Sequence, residues 1–212
     1  MRSLTVSLAV LAIGAVAPAT AAPVLYTDYA EFAAVTTSLV QDDFDSAPWA
    51  EGDHPGPVTH LGTTWSAAST LRSTAFGPRS GSLALSDVDP FTNDVPDVIT
   101  ATLPFGTTAT GLWVRGAASW LQAEVAALAA DDAVLASFSG WLPNYYVFLG
   151  FAGDTPVHRL RVRALSTGND DFIVDDFVRG AAAVPEPGSV ALLLSGLACA
   201  AARRARGRCR VS

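Results

Sequence analysis

Polar and apolar residues alternate along several short stretches of the chain, and Gly, Pro, Ser and Thr interrupt the chain between them. Alternation with a period of two is typical of β-strands that have one buried and one exposed face. In residues 97–103, for example, Ile99, Ala101 and Leu103 are expected to point inward and the intervening threonines outward. The same reasoning predicts strands at 39–44, 97–103, 109–115, 120–128, 133–138, 145–151, 158–164 and 171–178.

One of these predicted strands, residues 158–164, has an arginine at every second position. Its arginines are Arg159, Arg161 and Arg163, and its intervening apolar residues are Leu160, Val162 and Ala164. We therefore expect a strand with one apolar face and one face lined by arginine.

A single short helix is predicted over residues 28–35, close to the start of the body of the chain. Asp28 is a residue type that caps helices, and Glu31 follows three positions later, as in a capping box. Tyr29 and Phe32 then fall on the same face of the helix, where they are expected to pack.

Residues 123–130 leave two interpretations open, because Ala and Leu dominate them and both residue types favour helix. The strand is favoured here, since Asp131 and Asp132 are typical of a hairpin turn leading into the next predicted strand. The interrupted loop at residues 45–57 contains three prolines and is not predicted to contain a strand.

The order of these elements predicts an all-β fold for residues 22–180. We expect an antiparallel β-sandwich of the jelly-roll or galactose-binding-like type, preceded by the one short helix. Roughly 160 residues can bury a sufficient core without a disulfide. This matters because the chain has two cysteines, Cys199 and Cys209, and both follow the body.

The first segment, residues 1–21, has the features of a secretory signal peptide. Arg2 precedes an apolar run, and the run closes on Ala19-Thr20-Ala21, a pattern that signal peptidase can cleave. Export through the Sec machinery is therefore expected, with cleavage after Ala21 or Ala22. An uncleaved anchor or a buried helix is the alternative interpretation.

The last segment combines a Pro-Glu-Pro turn, an apolar run and a basic end. Residues 181–188 are predicted to be a linker, residues 189–202 a transmembrane helix and residues 203–212 a basic cytoplasmic tail. The apolar run is shorter than the roughly 20 residues of a typical span, but basic residues follow it at once. The arginines concerned are Arg203, Arg204, Arg206, Arg208 and Arg210.

These three features, in this order, resemble the PEP-CTERM sorting signal of Gram-negative bacteria. The residues that carry the resemblance begin with Val184-Pro185-Glu186-Pro187-Gly188. The resemblance implies that an exosortase, a membrane-embedded cysteine protease or transpeptidase, recognises the tail and processes it near Pro185, Glu186 and Pro187. The alternative is a plain tail anchor in which the Pro-Glu-Pro sequence is incidental.

The same resemblance implies a location and a setting for the protein. The precursor is expected to be tethered transiently in the inner membrane, and the mature form is expected at the cell surface or outside the cell. Bearers of this signal are usually found in genomes that also make exopolysaccharide, which makes exopolysaccharide an expected partner.

The body resembles β-sandwich domains of exported PEP-CTERM proteins, which are similar in outline to galactose-binding-like and carbohydrate-binding jelly rolls. The short stretches that carry this second resemblance lie at 29–32, 42–45, 81–85, 146–151, 154–157 and 175–177. It implies a sandwich that binds carbohydrate, sometimes with a structural Ca²⁺.

The charge of the body excludes one class of partner. Between residues 22 and 180 the chain carries 19 acidic and 7 basic side chains, and lysine is absent from the whole sequence. Nucleic acid is therefore not an expected partner, because its phosphates would be repelled. An acidic surface does suit a cation.

Two groups of aspartates stand out: Asp42, Asp43 and Asp45 on an early strand, and Asp170, Asp171, Asp175 and Asp176 on the last. First and last strands of a jelly roll can be neighbours, and carboxylate oxygens are ligands that Ca²⁺ prefers. The candidate calcium ligands are Asp43 and Asp176. The alternative is that these charges keep exposed strand edges from pairing with other chains.

Histidines and aromatic residues supply the remaining candidates. His54 and His60 flank a Pro-Gly-Pro turn, but exposed loop histidines are favoured over a Zn²⁺ site. Five tryptophans, with Tyr145 and Tyr146, include candidates for a sugar-stacking surface, although most are expected in the core. Trp141 and Trp49, each predicted in a loop beside proline, are the candidates for exposed stacking residues.

The sequence thus favours an exported surface or matrix protein with a non-catalytic sandwich that binds exopolysaccharide. Ser80-Gly81-Ser82 does not form a nucleophile elbow, and the sequence contains no Gly-rich phosphate loop and no CxxC motif. The alternatives are a secreted glycan-active enzyme, whose carboxylate pair the sequence cannot locate, and an adhesin that binds other proteins.

Overall fold

The computed structural model describes residues 21–87, 96–117, 120–165 and 171–183. The sorting motif, the predicted transmembrane helix and the basic tail lie outside these residues, as does the predicted signal peptide except for Ala21. Within the described residues, no helix is long and apolar enough to cross a membrane.

The described residues form one short helix and a series of short strands. In chain order these are β1 (Val24–Tyr26), α1 (Tyr29–Ala34), β2 (Thr36–Asp42), β3 (Gly52–His54), β4 (Val58–His60), β5 (Thr63–Ala67), β6 (Leu71–Thr74), β7 (Ala84–Asp87), β8 (Val98–Thr102), β9 (Ala109–Gly116), β10 (Leu121–Leu128), β11 (Val134–Leu142), β12 (Val147–Ala152), β13 (Arg159–Ala164) and β14 (Phe172–Ala182). An all-β body with one N-terminal helix is confirmed.

The strands form two antiparallel sheets that pack face to face. The eight-stranded sheet has the order β1-β12-β9-β14-β7-β6-β3, and β2 also pairs with β14. The six-stranded sheet has the order β11-β10-β13-β8-β5-β4. Apolar side chains from both sheets, such as Leu112 and Leu149 from one and Val125 and Leu160 from the other, share one core. The predicted antiparallel β-sandwich is therefore confirmed.

A row of four aromatic rings runs through this core. Trp49 packs edge-on against Phe44 with ring centroids 5.3 Å apart, Phe44 against Trp65 at 5.2 Å, and Trp65 against Phe177 at 4.9 Å. Edge-to-face pairs of this kind contribute about 1 kcal/mol each beyond the area they bury. The row joins the long loop after β2 to strands of both sheets.

Helix α1 covers part of the outer face of the eight-stranded sheet. The side chain of Asp28 accepts hydrogen bonds from the backbone N–H groups of Ala30 and Glu31, at 2.7 and 3.0 Å, so the predicted cap is confirmed. Phe32 is buried and lies 5.2 Å from Phe148 of β12, ring to ring. The cap starts the helix, and the aromatic contact holds it on the sheet.

The segment with two interpretations is a strand. Residues 123–127 pair with both β11 and β13, and the turn that follows is a hairpin. Asp132 adopts a left-handed conformation with φ of 66°, and Asp131 accepts a hydrogen bond from the N–H of Ala133. Pairing on both sides outweighs the helical propensity of Ala and Leu.

Several predicted boundaries are wrong. The loop at 45–57 contains β3, and β4 to β7 were not predicted as strands. Strand β14 continues to Ala182, two residues into the predicted linker, because β2 pairs with it there. Three-residue strands such as β3 and β4 show too little alternation to be recognised from sequence, and their neighbours define them.

The first and last described residues lie at the same end of the sandwich, and Thr108 contacts the chain near both. Its carbonyl accepts a hydrogen bond from Gly153 N–H, and its hydroxyl accepts one from Ala182 N–H, at 3.1 and 2.8 Å. Thr155, close to Gly153, donates its hydroxyl to the carbonyl of Ala21 at 2.9 Å. The segment that leads to the sorting motif therefore leaves the body beside residue 21.

Removing a ring from the aromatic row should destabilise the body. We expect Phe177→Ala to lower the free energy of unfolding by about 3–5 kcal/mol, because a fully buried ring leaves a cavity. Phe105→Ala is the matched control, since Phe105 is 94% exposed. Urea unfolding of the full-length chain measures both, and an equal loss in the two variants would contradict the proposed core.

Candidate functional site

A groove of about 280 Å³ lies between the edge strand β11 and strand β12, where the two sheets meet. It is lined mainly by aromatic and aliphatic residues: Thr27, Trp120, Phe138, Trp141, Pro143, Tyr145, Val147, Phe148 and Leu149. Concave, largely apolar surfaces with a few polar groups are typical of ligand sites.

Three large aromatic side chains on the groove are exposed. Trp141 and Tyr145 are each 61% exposed and Trp120 is 58% exposed. Trp141 lies opposite Gln122 on β10, and Tyr145 lies in the turn that joins β11 to β12. Exposed rings have apolar faces that lose water when a flat apolar surface stacks on them.

The prediction of Trp141 as an exposed aromatic agrees with its position, although Trp141 lies in strand β11 and not in a loop. Trp120 and Tyr145 belong to the wider set of aromatic candidates for a stacking surface, but the sequence did not identify them as its exposed members. Trp120 immediately precedes β10, and Tyr145 lies in the turn between β11 and β12. Both positions lie at the same end of the sandwich, so both residues reach the groove. Pairing of β10 with β11, rather than any local motif, brings these three rings together.

Gly140 makes room for one wall of the groove. A side chain at this position would approach the ring of Phe138 to 2.9 Å, closer than a Cβ normally comes. The half-buried Phe138 ring therefore lies close to the backbone of Gly140, where it lines the groove.

Polar recognition at the groove can come from the backbone of β12. Residues 147–149 pair with β9 on one side, whereas β1 pairs only with residues 150–152 on the other. In the described part of the chain, the groove side of Val147 and Leu149 thus has no neighbouring strand. Backbone N–H and C=O groups that point to this side can bind hydroxyl groups.

Trp49 is not a surface residue, and its prediction as an exposed stacking residue is wrong. It is only 5% exposed, and its indole N–H donates to a carboxylate oxygen of Asp42 at 3.2 Å. The ring packs against Phe44 in the core. The hydrogen bond to the buried Asp42, seven residues earlier, thus holds Trp49 in the core although prolines lie near it in the sequence.

The two loop histidines are also more buried than predicted. The Nδ1 of His60 lies 2.9 Å from Asp42, and the Nε2 of His54 lies 2.8 Å from the hydroxyl of Ser73. Trp49 contacts both imidazole rings edge-on. The described residues include no group of three or more His, Cys, Asp or Glu placed to hold a metal ion.

The two groups of aspartates do meet, as the neighbouring-strand argument predicted. Phe177 of β14 pairs with Asp42 of β2, and the amide of Gln41 donates to Asp176 at 3.0 Å. Asp176 also forms an ion pair with Arg79, whose guanidinium lies 4.0 Å above the Trp113 ring.

These carboxylates hold the loop that precedes β7. Asp175 accepts hydrogen bonds from the N–H groups of Arg79 and Ser80, at 2.6 and 3.1 Å. Asp45 accepts from the N–H groups of Ser82 and Leu83, at 2.7 and 2.9 Å. The N–H dipoles point toward each carboxylate and so offset part of the cost of burying its charge.

Gly81 at the centre of this loop is required by the same contacts. It has a positive φ of 56°, and a Cβ there would overlap the carboxylate of Asp45. Asp43, by contrast, is exposed and accepts from the N–H of Asp45. Calcium binding by Asp43 and Asp176 stays a prediction, and Asp176 already has Arg79 and other donors around it.

Burial is the largest influence on the pKa of Asp175, the carboxyl group that binds the loop before β7. It raises the pKa of Asp175 to about 6, although the N–H groups of Ser80, Asp176 and Arg79 oppose the rise. Burial likewise raises the pKa of Asp87, which accepts hydrogen bonds from Ser69, Thr70 and Val98.

Residues 183–206 match the model of the PEP-CTERM protein-sorting motif. The predicted sorting signal is therefore confirmed. The motif implies a secreted, exosortase-processed protein with a membrane-anchored precursor. No curated protein matches the chain in sequence.

The solved structures similar to this chain include several carbohydrate-binding modules. The C-terminal family 22 module of Clostridium thermocellum Xyn10B has 13% identity and a TM-score of 0.43, covering 68% of this chain and 93% of the module. CBM29_1 from Piromyces equi has 14% identity and a TM-score of 0.40, with 71% and 95% covered. The CBM22-1 domain of Paenibacillus barcinonensis Xyn10C has 12% identity and a TM-score of 0.40, with 68% and 95% covered. The sandwich fold itself rests on the strand pairing described above.

The stability of the body should decrease between about pH 4 and pH 6 because of Asp175. Its pKa is near 3.8 in the unfolded chain and about 6 in the folded one, so the folded form holds the proton more tightly. This contribution is fully present below pH 4 and is lost as pH rises, by on the order of 3 kcal/mol. We expect Asp175→Asn to flatten this part of the pH profile in urea unfolding experiments.

Phe177→Ala is the control for that experiment, because it lowers stability but keeps the Asp175 carboxyl group. It should shift the whole profile down and leave its slope unchanged. Equal slopes in the wild-type chain and in Asp175→Asn would show that Asp175 does not titrate as described.

Proposed function

We propose that this chain is an exported, exosortase-processed protein of the cell surface or extracellular matrix of a Gram-negative bacterium. It binds polysaccharide non-catalytically, through the groove formed by Trp120, Trp141 and Tyr145. Exopolysaccharide of the producing cell is the proposed ligand. Signal peptidase and the Sec machinery act on the N-terminal segment, and the exosortase acts at the Pro185–Pro187 motif.

The observation that carries the binding proposal is the exposure of three large aromatic rings around one groove. Pyranose rings present apolar C–H faces that stack on aromatic rings, while their hydroxyl groups need hydrogen-bond partners at the rim. Exposed rings together with the free backbone of residues 147–149 supply both kinds of contact.

The sorting proposal is supported by the motif match and by the position of the chain ends. The motif begins at residue 183, immediately after β14. That point lies beside residue 21, where the mature chain is expected to begin. Both processing events thus take place at one end of the body.

The non-catalytic proposal is supported by the chemistry of the groove. Glycoside hydrolysis generally uses two carboxyl groups on either side of the scissile bond. The residues that line the groove in the described part of the chain include no Asp or Glu. A glycan-active enzyme and a protein-binding adhesin are the alternatives that the experiment below separates from simple glycan binding.

Trp141→Ala and Tyr145→Ala should each weaken polysaccharide binding about tenfold, which corresponds to the loss of about 1.4 kcal/mol of aromatic contact. Phe76→Ala is the matched control, because Phe76 is an exposed aromatic residue outside the groove. The measurement is affinity electrophoresis of the full-length chain, in detergent, with exopolysaccharide from the native host and with a polysaccharide array.

Binding that survives both groove substitutions would contradict the stacking site. Release of reducing sugars from a bound polysaccharide, abolished by one carboxylate substitution, would identify an enzyme. Capture of a cell-surface protein without any glycan binding would favour the adhesin.

Changing Pro185, Glu186 and Pro187 together to alanine should leave the tail attached and the protein in the membrane fraction. The same result is expected for the wild-type chain in a host that lacks its exosortase. Intact mass and cell fractionation measure both outcomes, with Ser189→Ala as the control. Identical trimming and release without the exosortase would refute the sorting proposal.

A further inference from the structure

The outer face of the six-stranded sheet carries a row of arginines next to the aromatic groove. Arg159, Arg161 and Arg163 alternate with buried residues along β13, so all three point to this face. The predicted arginine-lined face is therefore confirmed. It is an unusual feature in a body that carries 19 acidic and 7 basic side chains.

The other four arginines of the body are held by contacts within the fold. Arg72 pairs with Asp53, and Arg79 pairs with Asp176. Arg115 donates to backbone carbonyls that include that of Ala117, and Arg179 donates to the Thr63 hydroxyl and the Leu61 carbonyl. The arginines on β13 also have carboxylate partners: Arg159 pairs with Asp132, whereas Arg161 and Arg163 have only Glu124 between them.

Arg161 and Arg163 share one carboxylate. The Nη2 atoms of Arg161 and Arg163 lie 3.2 and 3.1 Å from the same oxygen, Oε2 of Glu124. Two positive charges thus face one negative charge, and the side chains of Arg161 and Arg163 remain partly exposed, at 27% and 42%. Their buried Nε atoms have no hydrogen-bond partner, so a ligand that draws either group outward breaks no bond there.

The surroundings of these two arginines suit a sugar chain. Thr100 on the neighbouring strand β8 lies opposite Arg161. Ser137 on β11 belongs to the same row two strands away, where it lies opposite Ala126. Their hydroxyl groups can form hydrogen bonds with a polar ligand that binds beside the guanidinium groups.

The arginines and Trp141 lie on the same face. Trp141 is opposite Gln122, and Arg163 is opposite Glu124 two residues further along β10. From a strand spacing of about 4.8 Å and a rise of about 3.3 Å per residue, the Cα atoms of Trp141 and Arg163 lie roughly 12 Å apart. One extended chain can therefore stack on Trp141 and reach Arg163.

We propose that this face binds a polysaccharide that carries carboxylate groups, with Arg161 and Arg163 pairing with those groups beside the Trp141 stacking position. The inference rests on the proposed polysaccharide-binding function and names its ligand class. The planar guanidinium fork matches a carboxylate in two parallel hydrogen bonds, which lysine cannot provide. Arg161 and Arg163 also attract a polyanion locally, on a body whose overall negative charge repels polyanions.

The test compares charged glycans with uncharged forms of the same backbone. Polygalacturonate, alginate and hyaluronan, each beside its carboxyl-reduced form, are offered to the full-length chain in detergent, with dextran sulfate as a polyanion without carboxylates. We expect at least one uronate polymer to bind at least tenfold more tightly than its reduced form and than dextran sulfate. The double variant Arg161→Gln/Arg163→Gln should lose that preference.

Two further variants separate recognition from general charge or folding effects. Arg72→Gln removes one positive charge from the other sheet, half of what the double variant removes, and should change affinity less than twofold. Glu124→Gln removes the competing carboxylate and should strengthen binding of the uronate polymer severalfold, a gain that a merely structural role would not produce.

The outcomes distinguish this inference from the function on which it rests. Preference for the reduced glycans, equal binding of dextran sulfate, or equal losses in Arg72→Gln and the double variant would overturn the carboxylate inference. If Trp141→Ala then still weakened polysaccharide binding about tenfold, the proposed function would stand without the carboxylate inference. Failure of the folded chain to bind any polysaccharide would overturn both.

Discussion

Strand β14 has two different partners along one edge, and the body is arranged around the junction between them. Val174 pairs with Leu85 of β7, whereas Phe177 pairs with Asp42 of β2. Between these points the pairing with β9 is interrupted by a bulge, and Asp176 adopts a positive φ of 46°. A bulge leaves backbone groups unpaired and turns the strand. Something other than a ladder of backbone hydrogen bonds must therefore hold the junction together.

The carboxylates of Asp175 and Asp45 hold the junction together. Asp175 accepts N–H groups from the loop before β7 and from its own neighbour, and Asp45 accepts two more from the same loop. An uncharged side chain of this size does not have the lone pairs to accept three N–H groups. The arrangement has a cost, since burial raises the pKa of Asp175 to about 6. The body therefore tolerates an unfavourable buried charge in order to join three strands at one point.

The long strands and the capped helix could be predicted because alternation and the Asp28 cap are local signals. The junction could not be predicted, because neither the bulge in β14 nor the burial of Trp49 follows from neighbouring residues. Both depend on the placement of Asp42 and its strand against β14. The groove likewise could be predicted only in part. Trp141 was recognisable as an exposed aromatic, but Trp120 and Tyr145 join it only through strand pairing.

The direction of β12 relates the groove to the tail. Its first residue, Val147, lines the groove, and the strand ends at Ala152, beside the residues that contact both described ends of the chain. The five residue steps from Val147 to Ala152 span roughly 17 Å, so the Val147 end of the groove lies about that far from the point where the chain leaves for the sorting motif. In a precursor held by its tail, the aromatic groove thus lies away from the tethered end. Removal of the tail would change what holds the body in place without altering the proposed binding surface.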